Sequence, residues 1–186
     1  MNGLGVRTGR RIVVRPGGPR ARLRAQLADG VVIAGWAVVA AAVGLVVRST
    51  GYEFGDPSTA DLFAFVTLVA PVTITFALQE SSPDQATFGK HRGGLQVTDR
   101  SGHRLGRGRA LVRSAVKFAP WQLAHTAVFG LVAEPTSTWF AALAVGSQLV
   151  VVASFGIMAV DADHRALHDL VAGTRVVKSE PEKGEG

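Results

Sequence analysis

Two charged residues stand at the entrance to a long apolar stretch of the chain. Asp29 directly precedes residues 30–47, a run of 18 residues without a charge, and Arg22 lies seven residues before Asp29. On a helix this spacing places both side chains on nearly the same face, two turns apart. Charges at the rim of a membrane are costly, so they need a functional or structural reason. We therefore take Arg22 and Asp29 as the first candidate site residues.

Other patterns have the residue types of a ligand site but lack its full spacing. Asp161, His164 and His168 are three and four residues apart, yet no further ligand or general base completes a known metal pattern. Gly89, Gly93 and Gly94 resemble part of a phosphate-binding loop, but the full pattern Gly-x-x-x-x-Gly-Lys-Ser/Thr is absent. The chain has no cysteine, which excludes disulfides and thiolate sites. We predict no catalytic residue, metal or cofactor, and hence no enzyme.

The composition and the apolar runs indicate an integral membrane protein. The chain is 47% hydrophobic and only 18% charged, which is more apolar than a typical soluble domain. A helix needs about 20 apolar residues to cross a bilayer. Four runs are predicted to do so, at about 26–48, 60–79, 112–133 and 138–160.

The third run is the weakest of the four, because Pro120, Gln122, His125 and Thr126 interrupt it. A helix lying in the membrane interface is the competing interpretation of this segment. The last three of these residues are spaced by three and four, so they share a helix face that is predicted to turn towards the bundle interior. His125 is a candidate proton relay, although a single histidine with hydrogen-bonding neighbours is also typical of a structural role.

The predicted fold class is an all-α integral membrane protein, a bundle of four transmembrane helices with a short cytoplasmic β-hairpin between the second and third. The hairpin is expected to pair residues 95–98 with 103–105 across a turn at Asp99 to Gly102. Residues 1–20, with five arginines and no acid, and residues 178–186 are predicted to be flexible tails around a membrane domain at 21–177.

The basic residues predict the orientation. Of twenty lysines and arginines, seven precede the first run, eight lie between Lys90 and Lys117, four follow Val160, and only Arg48 remains. By the positive-inside rule, both termini and the hairpin are expected in the cytoplasm and the spans in the plasma membrane. The expected partner of this charge is the anionic headgroups of the bilayer, not nucleic acid.

Together these segments resemble the RDD family of integral membrane proteins. Arg22 and Asp29 match the first two signature positions, and residues 87–97 are similar to the element Thr-x-Gly-Lys-x-x-x-Gly-Leu-x-Val. Arg109 and Arg113 stand in a stretch similar to the basic entry of the following span. Residues 167–177 match the closing element, which contains the second aspartate, Asp169.

The resemblance covers residues 21–177, and the chain departs from the family pattern in its basic tail and in Phe88. It implies a membrane protein with no known reaction and an association with transport. The site it implies is a cytoplasmic-side cluster of Arg22, Asp29 and Asp169. Secondary candidates are Gly89, Lys90, Arg109, Arg113, His125 and His168.

Two functions are expected from this cluster. In the first, the protein transports an ion or small solute, with Asp29 and Asp169 as cation or proton ligands and Arg22 as the competing charge. Four spans make a small transporter, so a homo-oligomer is expected. In the alternative, the protein is a non-catalytic membrane scaffold or partner-binding protein, and the cluster is a structural ion pair.

Overall fold

The structure, a computed structural model, describes residues 16–179 and is mostly helical. Of the predicted tails at 1–20 and 178–186, residues 1–15 and 180–186 lie outside the described residues, and Lys178 is the last residue of β2. The elements in chain order are α1 (Pro19–Ser49), α2 (Pro57–Ala64), α3 (Ala70–Glu80), α4 (Phe88–Arg92), β1 (Leu95–Asp99), α5 (Arg107–Ala133), α6 (Thr138–Val160), α7 (Leu167–Ala172) and β2 (Thr174–Lys178).

Three helical segments of the described chain are long and apolar enough to cross a membrane. They are α1, the continuous run Pro57–Glu80 and α6. Large apolar side chains point outwards from all three, including Leu45, Val66 and Val152, which are 58–69% exposed. Exposed apolar surface on this scale is typical of contact with lipid. The prediction of a helical membrane protein is therefore confirmed.

The fourth long helix, α5, has 27 residues, which corresponds to a length of about 40 Å. Its N-terminal half carries Arg107, Arg109, Arg113 and Lys117, so its composition is less apolar than that of the other three. Pro120 lies inside the helix without ending it. By length α5 matches a span, and by composition it combines a basic first half with an apolar second half.

A π-helical turn joins α2 to α3. It covers Phe65–Val69 and ends just before Pro71, which has no backbone N–H to donate to the preceding turn. The Thr73 hydroxyl donates to the Val69 carbonyl at 2.7 Å. The widened turn lets the helix continue through the proline inside an apolar environment.

The small sheet differs from the predicted hairpin. The turn forms, with Gly102 N donating to the Asp99 carbonyl at 3.1 Å, but the returning chain makes a single bridge, between Arg104 and Thr98. Instead, β1 pairs antiparallel with β2 at the far end of the chain, with Val97 opposite Val176. The prediction was wrong in the partner strand, because the local turn signal does not report pairing with a distant segment.

The N-terminal side of α1 is also part of this folded layer. Pro16 bridges to Val177, and Gly17 N donates to the Val176 carbonyl at 3.0 Å. Residues 16–20, predicted as part of the tail, therefore lie against β2 or in the first turn of α1.

Two buried apolar clusters divide the molecule into two layers. One surrounds the sheet and contains Ala25, Leu95, Val97 and Val176 among others. The other lies among the long helices and contains Val69, Val72, Phe76 and Phe118. The charged residues considered next lie between these layers, where the long helices meet α4, α7 and the sheet.

Candidate functional site

Arg113 is the centre of a buried ion network. It is 1% exposed, and its guanidinium Nη1 donates to both carboxylate oxygens of Glu80. Its Nε and Nη2 donate to Asp169 Oδ1 at 3.0 and 2.8 Å. The planar fork of arginine suits this contact with two carboxylates. One residue of α5 thus links the end of α3 to α7.

Arg22 and Lys90 complete the network at its two ends. Arg22 Nη2 pairs with Asp169 Oδ2, while its Nη1 donates to the His164 carbonyl. Lys90 Nζ donates to Glu80 Oε1 at 2.8 Å. We call Arg22, Glu80, Lys90, Arg113 and Asp169 the ion network; all five are at most 8% exposed.

Asp169 is held by uncharged donors as well as by the two arginines. Ala166 N donates to its Oδ2 at 3.1 Å, and the Thr174 hydroxyl donates to its Oδ1 at 3.2 Å. The carboxylate therefore caps the start of α7 and attaches it to the first residue of β2. Asp169 and Arg22, which the sequence placed in one cluster, form an ion pair in the structure.

Asp29 lies beside the ion network without joining it. It is 2% exposed, and its carboxylate accepts from the Thr87 hydroxyl and from Gly89 N, both at 2.7 Å. Seven residues along a helix is about 10.5 Å, so Arg22 reaches α7 while Asp29 reaches α4. The expectation of one three-residue cluster is corrected to two adjacent contacts, connected through Thr87 and Lys90, whose Nζ lies 3.4 Å from the Thr87 hydroxyl.

Gly89 is required by the close approach of α4 to α1. A Cβ at this position would lie 1.9 Å from the Ala25 carbonyl oxygen and 2.9 Å from Asp29 N. Only a residue without a side chain lets the α4 backbone reach the Asp29 carboxylate here. The secondary candidate Gly89 is thus a packing position that makes the Asp29 contact possible.

The other secondary candidates lie at different distances from the ion network. Arg109 is half-exposed and lies 3.7 Å from Asp99, away from the network. His168 Nε2 lies 3.8 Å from Asp169 Oδ1. The His125 ring packs against the Trp121 ring, with ring centroids 5.3 Å apart and ring planes tilted by 45°.

A second polar contact occurs further along α5. Gln122 Nε2 donates to Asp61 Oδ1 at 3.0 Å, and the Thr126 hydroxyl donates to Asp61 Oδ2 at 2.6 Å. The predicted polar face of the third run therefore meets the second helix. His125 Nδ1 is buried without a hydrogen-bond partner among the described residues.

The sequence prediction missed Glu80 and Thr174. Glu80 is fully buried and pairs with both Arg113 and Lys90. Its signal is an acid placed directly after the second apolar run, in the same relation to the membrane rim as Asp29. Thr174 lies inside the segment that carries the family resemblance, yet its hydroxyl has no distinguishing pattern in the sequence.

A cavity of about 260 Å³ opens beside the ion network, between α1, α5 and α6. Its polar end is formed by Arg22, Lys90 and Lys117 together with Asp29 and His168. Its apolar walls come from all three helices and include Ile33, Trp121, Val151 and Phe155. We call this the side cavity.

Acid is expected to weaken the fold at this site. Burial lowers the pKa of His168 from 6.5 to about 3; Asp169 opposes this shift, and the nearby Arg113, Lys117 and Arg22 reinforce it. Burial raises the pKa of Asp169, but Arg113 and Arg22 hold that pKa well below its usual 3.8. Both groups bind protons more readily in the unfolded chain. Their contribution to the free energy of unfolding is therefore fully present above pH 6.5 and is lost as the pH falls.

The slope from His168 alone should approach about 1.4 kcal/mol per pH unit between its two pKa values. Thermal unfolding of the purified protein in detergent from pH 7 to pH 4 measures it. His168→Gln should flatten this dependence, while His103→Gln, whose side chain is 80% exposed, should leave it unchanged. An equal slope in wild type and His168→Gln would contradict the assignment.

Comparison with known proteins identifies the family. The RDD family model matches residues 16–173 of the chain, which include Arg22, Asp29, Arg113 and Asp169. No curated protein and no solved structure matches the chain. Since the family match spans most of the sequence, the chain belongs to the RDD family, as its motifs predicted.

Proposed function

We propose that this RDD family protein is a four-pass protein of the plasma membrane that transports a small ion or solute, and that the side cavity is its binding site. The observation that carries the proposal is the position of the cavity. It extends from the charged end at Lys90 and Lys117 to apolar walls in the long helices. Pockets with a few polar groups on apolar walls are typical ligand sites.

The ends of α5 support four spans. Near its start, Arg113 contacts Glu80 at the end of α3 and Asp169 beyond α6. Near its other end, Gly130 packs against the ring of Phe140 in the first turn of α6. A helix of this length that connects both ends of the bundle is long enough to span. The positive-inside rule then favours a cytoplasmic location for the ion network and both termini.

The signature residues support the site rather than bind the solute in this proposal. Both oxygens of Asp169 are paired with arginines, and both oxygens of Asp29 accept protein hydrogen bonds. A cation at either carboxylate would have to share it with these donors. The side cavity offers unfilled volume, so we assign solute binding to the cavity.

Flux into vesicles containing the purified protein tests the proposal. Gradients of protons, alkali cations and small organic anions should reveal flux above that of empty vesicles. Val151→Trp, which fills the side cavity from α6, should reduce that flux at least tenfold. The neighbouring Val152→Trp is the matched control, because Val152 is 66% exposed and lies outside the cavity lining.

Two results would argue against this function. Absence of flux under every gradient would remove the transport proposal, and equal flux in the two tryptophan variants would remove the cavity as the route. The alternative is a non-catalytic scaffold or partner-binding protein. It is favoured because Arg22, Asp29 and Asp169 all have partners within the chain. A purely structural cluster is expected to have such partners.

A further inference from the structure

Lys117 is the cation at the side cavity whose charge is not paired within the described chain. Among residues 16–179, no carboxylate lies within ion-pair distance of its Nζ and no group accepts a hydrogen bond from it. Its Nζ instead lies 4.7 Å from the centroid of the Phe76 ring and 5.2 Å from that of Phe118. Aromatic faces attract a cation but leave its hydrogen-bond donors free.

A count of the charges around the polar end of the side cavity also leaves one positive charge without a partner among the described residues. Four cations, Arg22, Lys90, Arg113 and Lys117, face three carboxylates, Asp29, Glu80 and Asp169. Glu80 and Asp169 are paired with the first three cations, and Asp29 accepts from Thr87 and Gly89. One positive charge is left, and a partly desolvated ammonium is stabilised by an anion.

The remaining walls of the cavity are mostly apolar and lie along the long helices. The helix α1 packs against α4 and the π-helical turn, whereas α6 packs against α5 and α7. The side cavity lies in the gap between α1 and α6, and Val150, Val151 and Phe155 at its edge are 36–38% exposed. These side chains belong to a candidate span, so the opening faces the hydrocarbon of the bilayer.

A ligand for this site has to match both ends. A small inorganic anion would leave the apolar walls without contacts, and an uncharged hydrocarbon would leave Lys117 without a partner. The cavity volume of about 260 Å³ is several times the roughly 30 Å³ of a water molecule. It therefore has room for an acidic group and the start of a chain, while the rest of that chain continues into the bilayer.

We propose that the side cavity binds an anionic amphiphile, whose phosphate or carboxylate group contacts Lys117 and whose acyl chain leaves between α1 and α6. The source to which we commit is an anionic lipid of the surrounding bilayer. This inference rests on the side cavity proposed above, and it replaces the small ion or solute by an anionic amphiphile as the ligand of that cavity. Trp121, which lines the cavity, provides a direct reporter of the bound chain.

Quenching of Trp121 fluorescence by brominated lipids tests the proposal. The chain has three tryptophans, and a Trp36→Phe, Trp139→Phe background leaves Trp121 alone. In mixed vesicles, phosphatidylglycerol with brominated acyl chains should quench Trp121 at roughly a tenth of the mole fraction that brominated phosphatidylcholine requires, as one charge-assisted contact would give. Inorganic phosphate at millimolar concentration should not relieve the quenching.

Lys117→Gln in the same background should remove the preference for phosphatidylglycerol. Lys178→Gln is the matched control, because Lys178 is an exposed lysine of β2, and it should keep the preference. Equal quenching by the two lipids in the unmodified background would overturn the inference, as would a preference that survives Lys117→Gln. Relief by inorganic phosphate would identify a soluble anion instead and would also overturn it.

The two proposals fail separately in these experiments. Lipid preference without any solute flux would keep the amphiphile and remove transport. Flux that depends on Val151 without lipid preference would keep the transport site and remove the amphiphile.

Discussion

Replacing Gly89 by alanine is expected to prevent the native packing of α4 on α1. The added Cβ would lie 1.9 Å from the Ala25 carbonyl oxygen and 2.9 Å from Asp29 N. Both are atoms of a helix backbone, so no rotation of a side chain relieves the overlap. We expect a loss of about 3 kcal/mol or more in the free energy of unfolding, at or above the upper end for overpacked sites. Thermal unfolding in detergent measures the loss.

Gly35→Ala is the matched control for this experiment. Gly35 lies in α1, and a Cβ there would have no heavy atom within 4 Å. Because alanine favours a helix by about 1 kcal/mol over glycine, this variant should be as stable as wild type or slightly more stable. A Gly89→Ala protein that unfolds at the wild-type temperature would show that α4 does not approach α1 this closely.

Gly89 also shows what the sequence predicts about the site and what it does not. The family resemblance selected Gly89 and Lys90 from one motif and Asp29 from the entrance of the first helix. The structure explains the selection, since the Gly89 N–H donates to Asp29 and Lys90 begins the connection to Glu80. The sequence alone could not show that the partner of Asp29 is α4 and that Arg22 is not its partner, because the partner depends on the side from which α4 approaches α1.

Glu80 was missed for a related physical reason. A single acid after an apolar run is the ordinary end of a span, and only the approach of Arg113 and Lys90 distinguishes it. Lys117 was counted among the charges that orient the protein, and its position above two aromatic rings depends on how α5 packs against α3. In both cases the missing information is the packing between helices.

The membrane helices were predicted more directly than the sheet. Length and hydropathy predicted α1, the run Pro57–Glu80 and α6, because a bilayer requires apolar surface over a fixed distance. The partner of β1 could not be read in this way. The strand β2 directly follows α7, which Asp169 attaches to Arg22 and Arg113, and that contact joins segments that are distant in the chain.

Arg113→Gln is expected to destabilise the protein by about 3–5 kcal/mol, the usual cost of breaking a buried ion pair. Arg113 is 1% exposed and supplies hydrogen bonds to Glu80, Asp169 and Thr174. Without it, and within residues 16–179, Glu80 keeps only Lys90 and Asp169 keeps only Arg22 as charged partners at hydrogen-bond distance. The free energy of unfolding in detergent, measured by thermal or denaturant unfolding, checks the expected loss.

Arg109→Gln provides the control on the same helix, one turn earlier. Arg109 is half-exposed and lies 3.7 Å from Asp99, so its removal should cost no more than about 1 kcal/mol. The double variant Glu80→Gln, Arg113→Gln separates charge from packing, because it removes a carboxylate together with its guanidinium. It should be less destabilised than the sum of the two single variants, as expected for residues of one network. Simple addition of the two losses would show that Arg113 contributes by packing and that the charge network does not hold α3, α5 and α7 together.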